Sequence, residues 1–234
     1  MTILSIDTSG PACSAAVSKD GRLLEEVVMN SALTHSETLM PAVERVIESA
    51  GLDISDIDIF AAVAGPGSFT GVRIGVCAAR AMAHAQNKKC VSVNALHALA
   101  AGAYQAKGII CPILDARRQQ VYSAAYRYEE GALVRVRQDD ALPLVDFIRS
   151  LPENETLYFT GDGVAVHEEA IKNLIGNRAV FAPLHARVLR ASSACYIASL
   201  PEAELIDPER LLPIYLRLPQ AERERNEKTT RAKV

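Results

Sequence analysis

Twice along this chain the same order of local signals appears. Residues 2–24 read TILSIDTSGPACSAAVSKDGRLL, and residues 108–134 read GIICPILDARRQQVYSAAYRYEEGALV. Each stretch opens on a short apolar run that suits a buried strand, breaks at a turn headed by an aspartate (Asp7 and Asp115), and resumes as further strands. In the first stretch, Asp20-Gly21 between apolar runs signals a hairpin. Helices and further strands follow each meander. No strict residue repeat accompanies the pattern, so the duplication is one of architecture. It predicts an α/β chain in two subdomains, residues 1–106 and 107–218.

The intervening segments fill in this frame. Thr34 and Glu37 have capping-box spacing, and a helix from there carries Leu39, Val43, Val46, Ile47 and Ala50 as its apolar stripe until Gly51. The run IDIFAAVAG reads as a strand, a long helix follows Ser68, and then come strand KCVSVN and a helix over 95–106. In the second half the pattern predicts helix 142–150, strand 156–160 and helices 164–175 and 191–200. Residues 219–234 are charged with almost nothing to bury, which predicts a disordered tail.

Composition narrows the function. A net charge of −3 and the absence of Trp give no basic or stacking surface for binding nucleic acid alone. No apolar stretch is long enough to span a membrane. The N-terminus lacks the basic flank of a signal peptide, and the five cysteines form no close pair. A cytoplasmic protein without a metal cluster or disulfide framework is expected.

Two strand meanders with acidic first turns resemble the actin-like ATPase and sugar-kinase fold, in which both turns can face a nucleotide phosphate and its metal. Asp7, Thr8, Ser9 and Asp115 are the residues so placed, a possible vestigial nucleotide turn. The same residue types also cap tight turns routinely. The second turn has Arg117-Arg118 where a phosphate-wrapping loop needs glycine.

The stretch AAVAGPGSFTGVRIGV, residues 61–76, looks at first like a phosphate loop. It lacks the Walker lysine, and its third glycine, Gly71, falls one place late for a dinucleotide fingerprint. The helix it launches is more informative. Arg73, Cys77, Arg80 and His84 share one narrow stripe, Gly71, Gly75 and Ala79 line a face that permits close approach, and the rest is small or apolar. Such a helix buries more than one face, against its own domain alone or also against a second protein.

ILSIDTSGPACSAAV, THSETLMPAVERVI, AVAGPGSFTGVRIGV, ILDARRQQVYSAAY and LLPIYLR together closely resemble the TsaB (YeaZ) family, over about residues 2–218. The resemblance implies an actin-like fold without independent catalysis or cofactor. It implies a partner of the catalytic subunit TsaD in making threonylcarbamoyladenosine beside the tRNA anticodon. The ATPase TsaE joins that pair, and tRNA is met only through the assembled complex. By position, residues 36–50 and 69–86 form the TsaD contact, with Leu39, Met40, Val43, Ile47, Phe69, Val72, Arg73, Val76 and Arg80 as expected interface residues. Without TsaD the same patch permits a homodimer. The catalytic paralogue carries a His-x-x-x-His metal pair on a helix, whereas VNALHALAAG here contains His97 alone. Two other readings stay open at this stage: an independent nucleotide hydrolase on the same fold, and a peptidase acting on a partner.

Overall fold

The computed structural model describes residues 1–217. The expected disordered tail at 219–234 lies outside the described residues. Strands β1 (Thr2–Asp7), β2 (Cys13–Lys19) and β3 (Arg22–Met29) form an antiparallel meander, and β4 (Ile59–Gly65) and β5 (Lys89–Asn94) extend it in parallel on the β1 side. The order is β3-β2-β1-β4-β5. The second sheet repeats it. Strands β6 (Ile109–Asp115), β7 (Gln120–Glu129) and β8 (Ala132–Pro143) make the meander, and β9 (Leu157–Thr160) and β10 (Ala179–Phe181) follow in parallel, giving β8-β7-β6-β9-β10. This duplicated topology is the actin-like ATPase and sugar-kinase fold.

The central strands are buried on both faces, which is why they read as unbroken apolar runs. Side chains alternate between two cores. In β1, Leu4 and Ile6 face a core built with α1 (His35–Ser49) and α2 (Phe69–Ala85), while Ile3 faces a core built with α3 (Ala95–Ala101) and α6 (Ala191–Ser199). In β6, Ile110 and Leu114 enter that same second core, whereas Ile109, Cys111 and Ile113 pack under α4 (Leu144–Arg149) and α5 (Gly163–Ile175). Helices α3 and α6 therefore sit between the sheets, and one apolar core joins both halves. The break near 106 falls in the connection from α3 to β6, yet α6, from the second half, packs on β1 and β2.

Local signals account for most element boundaries. Thr34 and Glu37 make the expected capping box, with Glu37 accepting from the Thr34 backbone N–H at 2.8 Å. Two expectations are corrected, and one strand is added. The helix expected over 95–106 stops at Ala101, where Gly102 caps it and the chain turns. The helix expected over 142–150 shortens to Leu144–Arg149 because β8 runs on to Pro143. Strand β10 was not anticipated, because its residues gain their pairing only from β9.

Candidate functional site

The turn after β1 is buried. Asp7, Thr8 and Ser9 are at most 2% exposed. Their polar groups are largely engaged within the chain. Asp7 accepts from the Ser9 N–H at 2.8 Å, Thr8 Oγ1 donates to the Gly71 carbonyl at 2.7 Å, and the Ser68 N–H donates to the Ser9 carbonyl at 2.7 Å. The glycines of the GPGSFTGVRIG stretch make this fit possible. A Cβ on Gly67 would collide with the Ser9 carbonyl oxygen, one on Gly71 with the Thr8 carbonyl oxygen, and one on Gly75 would sit 2.6 Å from Thr8 Oγ1. The small-residue face of α2 thus receives the chain's own turn. That is the close approach the face permits, made within the chain itself.

Asp115 ends β6, and its backbone N–H donates to Asp162 at 3.2 Å. Asp162, in the Gly161-Asp162-Gly163 turn after β9, escaped the sequence reading; its only signal was the pair of flanking glycines. Burial pushes the Asp7 carboxyl up to about 6, the bonds from Ser9 oppose the rise, and Asp162 adds repulsion. Burial also raises Asp162; the Asp115 backbone N–H opposes the rise, and the Asp115 charge adds to it. Among the described residues, no group of three or more His, Cys, Asp or Glu side chains is arranged to hold a metal ion. His97 is half-buried and stacks on Tyr126 with centroids 5.6 Å apart; burial and Arg135 hold its pKa below the usual value.

A cavity of about 720 Å³ opens beside these turns, between Ser9, the Pro66–Thr70 stretch, Asp115, Arg117, Asp162 and residues 214–217. Its far rim is unusual backbone. Arg117, Arg118 and Gln119 have φ of 63°, 53° and 59°, three successive non-glycine residues in the left-handed region. The Arg117 N–H donates to Asp115 Oδ1 at 2.9 Å, and the Ala116 N–H donates to the Gln120 carbonyl at 3.0 Å.

The second candidate site is the outward side of α1 and α2. Leu39, Val43, Ile47, Val72 and Val76 are at most 8% exposed and belong to the chain's own core with Leu4, Ile6 and Phe60. That corrects their assignment as contact residues, since an apolar stripe marks the face buried first, against the sheet beneath. Of the expected interface residues, Met40 and Arg73 face solvent, and Phe69 and Arg80 are half-buried. Glu44, Arg45, Cys77 and Ala81 are also exposed. The outward surface is mixed, with apolar Met40 and Ala81 among charged side chains.

Comparison with known proteins gives consistent matches. A family model described as "TsaD: tRNA N6-adenosine threonylcarbamoyltransferase" matches residues 23–221. The tRNA threonylcarbamoyladenosine biosynthesis protein TsaB of Bacillus subtilis (strain 168) is 33% identical over 223 residues, covering 95% of this chain and 96% of that protein. The TsaB protein of Escherichia coli (strain K12) is 33% identical over 144 residues, 61% of this chain and 62% of that one. YeaZ from Pseudomonas aeruginosa superposes with a TM-score of 0.76 at 28% identity, over 92% of this chain and 99% of that structure.

Proposed function

The chain belongs to the TsaB (YeaZ) family, and from that premise we propose that it acts in tRNA threonylcarbamoyladenosine biosynthesis as a non-catalytic partner and activator of TsaD. The observation that carries the non-catalytic part is the state of the turn after β1. Asp7 and Thr8 are buried and spend hydrogen bonds on Ser9 and on α2, and although Ser9 borders the cavity, no histidine or other base among the described residues bonds its buried hydroxyl. A nucleophile must be reached by its substrate, and Ser9 is 2% exposed. The outward side of α1 and α2, with Met40, Phe69, Arg73 and Arg80, is the surface offered to TsaD. TsaE joins the pair, tRNA is met through the assembly, and a homodimer on the same surface forms when TsaD is absent.

Reconstituted tRNA modification tests this reading. TsaD, TsaE, tRNA, ATP and an activated threonylcarbamoyl donor are assayed with and without this chain, and the chain alone is assayed for nucleotide hydrolysis. Product that depends on the chain, with no hydrolysis by the chain alone, is the expected result. Full activity without it, or hydrolysis by the isolated chain that disappears in Asp7→Ala, overturns the assignment.

A further inference from the structure

The cavity between the sheets does not by itself name an occupant, because Asp115 and Asp162 share its lining with Arg117 and Arg217 and neither sign of charge prevails. Its wall holds a feature that the proposed function leaves unused. Residues 211–217 return from the second half, and 214–217 run along the mouth. Leu211 is fully buried in the core under α1 and α2. The Ile214 N–H donates to the Ala64 carbonyl at 2.6 Å. The Ile214 carbonyl oxygen lies 2.5 Å from where a Cβ on Gly65 would be, so the chain can lie here only over a glycine, and Gly65 has φ of +115°. Tyr215 stacks on Phe69 with centroids 4.8 Å apart. Arg73 completes the stack: its guanidinium lies 3.9 Å from the Phe69 centroid, and its Nε donates to the Tyr215 hydroxyl at 2.8 Å. Two residues on, Arg217 donates to the Ala116 carbonyl at 3.0 Å, on the far side of the cavity.

We propose that residues 211–217 are a strap across the cavity mouth and that Arg73, on the outward face of α2, is its latch. Arg73 and Phe69 fix Tyr215, and Tyr215 sets where Arg217 lands on the turn between β6 and β7. That turn holds three left-handed non-glycine residues, a conformation that persists only while its surroundings over-determine it. The Arg217 bond to Ala116 is one of those surroundings. A carboxylate brought to α2 by a docked protein competes for the Arg73 guanidinium, since an ion pair that can be bidentate is stronger than a single bond from the guanidinium to a neutral phenol. Capturing Arg73 frees Tyr215, and the turn on the opposite sheet loosens. The strap thereby connects the outward face of α2 to the cavity.

Hydrogen–deuterium exchange of the full-length chain, at a dilution where light scattering shows a monomer, tests the strap without any partner. Arg73 is solvent-exposed, so Arg73→Ala leaves the fold intact, and a thermal melt checks this. Arg73→Ala speeds exchange in residues 212–217 and also in 115–120 by roughly two- to tenfold, the equivalent of one lost hydrogen bond. Tyr215→Phe has a smaller effect in the same peptides. Arg217→Ala speeds exchange in 115–120 while β1 keeps its protection. Exchange in 115–120 that is unchanged in Arg73→Ala or in Arg217→Ala overturns the strap.

Discussion

A methyl group on Gly71 would meet the Thr8 carbonyl oxygen, while one on Gly10 would meet nothing within 4 Å. The two glycines are in similar turn-rich sequence, yet only the first is fixed by close approach. Gly71→Ala is expected to lower unfolding stability by about 2–4 kcal/mol, because backbone must shift, and Gly10→Ala by less than about 0.5 kcal/mol. Urea titration of the two variants decides it; similar losses would mean that contact with Thr8 does not explain the glycine. Asp7 gives a pH prediction. Its folded pKa of about 6 stands above the ordinary 3.8, so folding favours the protonated carboxyl. The resulting stabilisation is complete below about pH 4 and is lost as pH rises through about 6, a change of up to about 3 kcal/mol. Asp7→Asn keeps an oxygen for the Ser9 N–H and removes the titration. Its stability is expected to fall less than wild type between pH 4 and pH 7, with Asp162 supplying the remaining slope. A pH profile parallel to wild type would place Asp7 in a more polar setting. Asp7→Asn is also expected to support tRNA modification in the reconstituted system. Asp7 and Asp115 were legible because an apolar run leads directly into each. Asp162 was not, since only the fold brings its turn beside theirs.

Helices α1 and α2 show what periodicity can and cannot say. The stripe Leu39, Val43, Ile47 and the pair Val72, Val76 were legible as apolar faces. Their partner was not legible, because the same spacing serves a helix on its own sheet and a helix on another protein. The structure assigns them to the chain's own sheet. Two substitutions on α2 should therefore behave oppositely. Val72→Glu places a carboxylate at a position 1% exposed and is expected to unfold the protein or cost at least about 3 kcal/mol. Ala81→Glu sits on the exposed side and keeps a good helix former, so its thermal stability is expected to stay near wild type. Its affinity for TsaD is expected to drop about tenfold or more, measured by calorimetry, from one unpaired charge at a desolvated contact. Unchanged affinity in a folded Ala81→Glu variant would move the contact surface away from the outward side of α2.

At the scale of the whole chain, the duplicated meander made the two-sheet plan readable, since hairpin and turn residues are local. The junction was not readable, because it rests on residues far apart in sequence. Ile3 and Ala16 of the first sheet share a core with Ala194, Cys195 and Ala198 of α6, and with Ile110, Ala124 and Tyr126 of the second sheet. Ile206 pairs with Cys90 at the edge of β5, and Arg190 bonds Glu26 on β3. The first sheet is thus finished by residues that follow the second. A chain cut at residue 106 keeps β1–β5 but exposes the face that α6 covers, and it loses Leu211 from the core under α1 and α2. Hydrophobic burial is the main stabilising term, and the net stability of a domain is small beside it. Residues 1–106 alone are therefore expected to lack a cooperative thermal transition by circular dichroism. The full chain is expected to melt in one transition that coincides for far-ultraviolet dichroism and tyrosine fluorescence, as two-state unfolding requires. A cooperative melt of the 1–106 fragment, or two separated transitions in the intact chain, would show that the halves fold independently and that α6 joins the first sheet only after it has formed.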